Sequence, residues 1–142
     1  MSPSVSSDGR YVAFGTTANN WGFSAFLNVA RRDRIGGVTE LMAPDLGSIS
    51  GIILGFDHIR LSDDGQSVVY MNESFQAEVR NMATGGAEVV TVNISGQVAN
   101  RQPFAPTLSG DGMWAAWHTY SEILVANDTN GVNDVFVRGP LR

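Results

Sequence analysis

One pattern occurs three times along the chain and restricts its possible folds more than any other feature. Val5-Ser6-Ser7-Asp8-Gly9, Leu61-Ser62-Asp63-Asp64-Gly65 and Leu108-Ser109-Gly110-Asp111-Gly112 each read as an apolar residue, Ser, any residue, Asp and Gly. After two more residues each runs into two small or β-branched apolar residues and an aromatic: Val12-Ala13-Phe14, Val68-Val69-Tyr70 and Ala115-Ala116-Trp117. A unit returning at intervals of about 50 residues signals stacked supersecondary structures.

Asp-Gly between two apolar runs predicts a hairpin, because Gly accepts the positive φ that other residues resist and Asp hydrogen-bonds its own local backbone. Each repeat therefore opens with two strands. A third is expected at 25–29, 77–80 and 134–138. Gly36-Gly37 and Gly85-Gly86 then turn the chain into a fourth strand at 38–42 and 88–92. No segment has helical periodicity. Four short antiparallel strands per repeat are the makings of a β-propeller blade. The expected fold class is thus all-β, a single partial propeller domain over 1–142 with blades at about 2–44, 57–93 and 105–142, the third lacking its outer strand.

Composition removes several chemistries. The chain has no Cys, two His (His58 and His118), and nine basic residues that are all Arg. There is no thiolate nucleophile, disulfide or zinc finger to build, and without Lys no Walker-type phosphate loop or Schiff base. The net charge of −5 opposes non-specific nucleic-acid binding. Arg31, Arg32 and Arg34 form the one basic cluster, interrupted by Asp33, and are expected in a solvated turn. The most apolar run, 51–56, is far shorter than the roughly 20 residues that span a bilayer, so no membrane insertion is expected. The N-terminus has no basic segment followed by an apolar stretch, which for a complete chain gives a cytoplasmic expectation.

The first repeat, Ser6 to Phe14, and the stretch Asn127-Asp128-Thr129-Asn130-Gly131-Val132-Asn133-Asp134-Val135-Phe136-Val137-Arg138 resemble the TolB-type, WD-like β-propeller repeats of bacterial proteins. Asn127 stands where those repeats usually have Gly, and Gly139 where they have Asp. The resemblance implies a rigid propeller used mainly for binding and scaffolding, often in exported proteins and occasionally joined to hydrolases. Fold alone does not set function.

With the first strand of each blade innermost, the Asp-Gly and Gly-Gly turns fall on one side of the ring and the long connections on the other. Binding residues are expected on that loop face, where Trp21, Phe23, Asp57, His58, His118 and Tyr120 gather. They point to a non-enzymatic module that contacts a protein or a glycan. An alternative is a metal-dependent hydrolase or lyase in which His58, Asp57 and His118 hold an ion. Another is a purely structural propeller piece. Asp128, Asn130 and Asp134 carry oxygen ligands at alternate positions around Gly131, a short calcium-loop pattern whose competing reading is an Asx turn. No Gly-x-Ser-x-Gly elbow offers a serine nucleophile.

Three blades fall short of the four to eight that close a ring. An open wedge exposes its end faces, and Val12, Phe14, Ala115 and Trp117 are expected there. The symmetric remedy is a homodimer forming a six-bladed ring.

Overall fold

The computed structural model describes residues 3–22, 27–43 and 58–141. These form strands and turns with no helix among them. Strands β1 (Ser4–Val5), β2 (Tyr11–Thr16), β3 (Asn28–Asp33) and β4 (Val38–Ala43) make one antiparallel sheet in the order β1-β2-β3-β4. The second is β5 (Arg60–Leu61), β6 (Ser67–Met71), β7 (Ala77–Asn81) and β8 (Ala87–Val89), in the same order. The third has only β9 (Phe104–Leu108), β10 (Ala115–Thr119) and β11 (Asp134–Arg138). These are the two complete meanders and the shortened third that the repeat predicts. Strands β1, β5 and β9 lie side by side as the inner strands.

The three Ser-x-Asp-Gly segments fold identically. The Ser6 hydroxyl donates to Asp8 Oδ1 at 2.6 Å, and the same Oδ1 accepts the Arg10 N–H at 2.9 Å. Ser6 Oγ in turn accepts the Tyr11 N–H at 2.9 Å. Ser62, Asp64, Gln66 and Ser67 repeat these bonds, as do Ser109, Asp111, Met113 and Trp114. The Ser and Asp side chains thus satisfy the turn's own backbone donors, which is why the motif specifies this turn. The cost to the carboxyl is its basicity: all three aspartates are held below the usual carboxylate range, first by the Ser hydroxyl and then by the backbone N–H.

Strand alternation places the two faces of each sheet against different neighbours. Val68 and Tyr70 point back to the first sheet and pack with Ala13, Val29 and Met42. Val69 and Met71 point forward to the third and pack with Ala115, Trp117 and Leu124. The core is therefore two layers, one in each gap between blades. Each large apolar side chain buried there contributes about 1.5–3 kcal/mol.

Four expectations are corrected here. Ala115 and Trp117, expected on an open end face, are 1% and 4% exposed because they face the second sheet. The third strand of the first repeat, expected at 25–29, runs from Asn28 on to Asp33, residues 25 and 26 lying outside the described residues; Arg10 clamps Asp33 through two bonds of 3.1 and 2.7 Å and holds the register Tyr11↔Asp33. The same shift draws Arg31 out of the expected solvated turn. It is 6% exposed, bonded to Glu40 at 2.5 Å and, across the blade gap, to the Gly65 carbonyl at 2.6 Å. In the second repeat the fourth strand closes at Val89, earlier than 88–92, and Val92 instead bridges to Val98.

Candidate functional site

The loop face is built from turns locked by their own side chains. In Asn72-Glu73-Ser74-Phe75-Gln76 the Asn72 Oδ1 accepts the N–H groups of Ser74 and Gln76, at 3.0 and 3.1 Å. Asn93-Ile94-Ser95-Gly96-Gln97 does the same, with Asn93 Oδ1 accepting from Ser95 and Gln97 at 2.9 Å each. The fourth residue of each has positive φ, 57° at Phe75 and 80° at Gly96. Gly accepts that conformation freely, whereas Phe75 is strained in it. The shared Asn-x-Ser-x-Gln spacing is visible in the sequence, but it lies outside the Asp-Gly repeat and was not among the expected site residues.

The second of these turns touches the connection between β10 and β11. Asn93 Nδ2 donates to the Ile123 carbonyl at 3.1 Å. Between the two loops runs a groove of about 440 Å³ lined by Ile94, Ser95, Ile123, Leu124, Val125 and Ala126. Ile94 is fully exposed in this lining, and Val125 is exposed as well.

The expected binding residues are dispersed. Phe23 and Asp57 lie outside the described residues. Trp21 meets Phe14 edge to face at a centroid distance of 6.1 Å, which places it beside the rear face of the first blade. His118 lies on β10, stacked on Phe104 at 5.5 Å and bonded through Nδ1 to Asn133 at 2.8 Å, on the forward face of the third blade. Tyr120 is exposed just after β10. His58 is half-buried before β5. Among the described residues no hydrogen bond or ring contact joins His58 to His118, and no three metal-ligating side chains of His, Cys, Asp or Glu cluster together.

Asp128, Asn130 and Asp134 do line one open depression, with Val125, Asn127 and Phe136. Asn130 ties two parts of the loop together. Asn130 Oδ1 accepts the Val132 N–H at 2.9 Å, and Asn130 Nδ2 donates to Asp134 Oδ2 at 2.9 Å. Asn127, where the related repeats have Gly, takes positive φ (60°), a conformation that Asn tolerates better than most residues.

No protein-family profile and no curated protein matches the chain. Solved structures do. TolB from Acinetobacter baumannii is 18% identical with a TM-score of 0.59, over 98% of this chain and 29% of its own. The putative TolB from Agrobacterium tumefaciens is 14% identical, TM-score 0.57, over 96% of this chain and 48% of its own. An oligogalacturonate lyase in complex with manganese is 15% identical, TM-score 0.57, over 84% and 28%. The chain thus spans between about a quarter and a half of these proteins. The stacked meanders, their inner strands and the axial Ser-x-Asp-Gly turns together with this likeness identify the fold as that of TolB-like β-propeller blades.

Proposed function

We propose that the chain is a non-enzymatic binding module that takes an apolar segment of another protein on its loop face. The supporting observation is the Ile94–Val125 groove, where exposed aliphatic side chains stand on turns whose geometry is held by Asn93. A fully exposed Ile on a rigid turn gains little from its own fold, and covering it by a partner returns about 25 cal/mol per Å² buried. Preorganised loops also reduce the entropy lost on binding. The apolar lining favours a protein segment over a glycan, which calls for a denser set of polar groups.

The test is selection of random peptides on the immobilised protein, followed by titration against Ile94→Asp and Val125→Asp. Apolar peptides that bind the parent and lose about tenfold or more against either variant support the reading. Peptides that bind both variants as well as the parent, or a response on a glycan array alone, refute it. Manganese or zinc bound stoichiometrically with hydrolytic or lyase turnover would favour the enzyme reading of His58 and His118 instead.

A further inference from the structure

The three axial turns are linked in a relay that is open at both ends. The residue between Ser and Asp carries it: the Asp63 N–H donates to the Gly110 carbonyl at 2.7 Å, and the Ser7 N–H donates to the Asp63 carbonyl at 2.9 Å. Each blade thus donates to the next. Among the described residues nothing donates to the Ser7 carbonyl, and the Gly110 N–H meets no acceptor. One end of the wedge lacks a donor and the other lacks an acceptor.

Side chains follow the same rule. The residue two after the motif Gly lies against the motif Gly of the following blade: a Cβ on Gly65 would come within 2.5 Å of Tyr11, and one on Gly112 within 3.0 Å of Ser67. Trp114 holds that position in the third blade; it lies against Gly139 of its own blade, a Cβ there coming within 2.6 Å of the ring, and its other side is open, leaving it 46% exposed. Gly9, the motif Gly of the first blade, has only Arg34 within 4 Å of a Cβ position, at 3.7 Å, so the space that Tyr11 and Ser67 fill elsewhere stands open. The strands agree. Register makes Val29, Ala77 and Val135 equivalent, and they are 1%, 0% and 77% exposed. On the rear side, Val68 and Tyr70 are buried, as are Ala115 and Trp117, while their counterparts Val12 and Phe14 remain partly exposed.

We infer that a second copy of this chain closes the wedge, the forward face of each third blade (Trp114, Ala116, His118, Val135 and Val137) seating on the rear face of the other copy's first blade (Val5, Val12, Phe14 and Trp21). A second copy is the occupant because each end carries what the other end lacks: donor for acceptor, aromatic for open Gly, exposed valines for a half-covered aromatic. The contact is head to tail, and with two copies it closes into a six-bladed ring with two equivalent seams. Trp21 and His118 become seam residues. This inference stands independently of the loop-face groove.

The test is light scattering of the whole chain at micromolar concentration, with the far-ultraviolet spectrum and melting temperature of each variant recorded to certify folding. The expected result is one species of about 30 kDa, twice the 15.2 kDa chain. Val137→Asp on the forward face and Val5→Asp on the rear face, at positions 64% and 59% exposed, should each fold and each run as a monomer. A monomeric parent overturns the inference, and so does an open series of larger oligomers. A dimer that only one of the two variants dissociates overturns the head-to-tail contact.

Discussion

Gly65 answers to two demands at once, and replacing it with Ala separates them. Its φ of 68° lies in the left-handed region, where a residue with a Cβ is disfavoured by about 1–2 kcal/mol. Independently, that Cβ would lie 2.5 Å from Tyr11 Cδ2 and 2.8 Å from Tyr11 Cβ and Cγ. The Tyr11 ring cannot swing aside without loss, since the Arg31 guanidinium sits 4.4 Å from its centroid and the same Arg31 bonds the Gly65 carbonyl. Overpacking of this kind costs about 1–3 kcal/mol, so Gly65→Ala should lose about 2–5 kcal/mol in all. Gly37 has a φ of 70° with nothing near its Cβ position, and Gly37→Ala should lose only the conformational part. Urea unfolding followed by tryptophan fluorescence measures both. Tyr11→Ser, which copies the residue the second blade uses at this position, should recover at least about 1 kcal/mol when combined with Gly65→Ala, the signature of coupled neighbours. Equal losses at Gly65 and Gly37, with no recovery by Tyr11→Ser, would refute the close approach of the first blade to the second turn.

Other consequences are as direct. Because Asp8, Asp64 and Asp111 have folded pKa values below their unfolded ones, their stabilisation is present above about pH 4 and is lost as pH falls through the folded values; melting temperature should therefore drop on acidification below about pH 4, and a flat profile there would contradict the turn geometry. Arg31→Met should cost about 1–3 kcal/mol by leaving the Gly65 carbonyl and Glu40 without their donor, whereas Arg32→Met, on an exposed position of the same strand, should stay within about 0.5 kcal/mol; equal effects in thermal melts would restore the solvated-turn reading of the cluster. Asn130→Ala should destabilise by about 1 kcal/mol with or without added calcium, as loss of a turn bond does. A melting temperature that rises with millimolar calcium in the parent and not in Asp128→Ala would show instead that the loop holds an ion.

Local chemistry was legible because it is carried by contiguous residues. Ser, Asp and Gly at fixed spacing satisfy one another's backbone within a single turn, so the three hairpins, and with them the blade repeat, can be read without knowing what surrounds them. The strand Asp134–Arg138 is legible for the same reason, bounded by Asn-rich turn residues and alternating in character. What alternation cannot tell is which neighbour each side of a strand meets, because a blade between two others buries both faces. Trp117 and Trp114 are three residues apart and equally aromatic, yet one is core and the other stands open, a difference set only by the direction in which blades follow one another around the axis. Arg31 is the clearest case. Nothing in a run of arginines says that one guanidinium will be taken into the gap between blades, and it is there because the paired register brings Arg31 opposite Ala13 and within reach of a carbonyl 34 residues further on. The separation of Trp21 from His118 has the same origin: sequence placed both near strand ends, but the stacking of separate sheets put one beside the rear face of the first blade and the other on the forward face of the third.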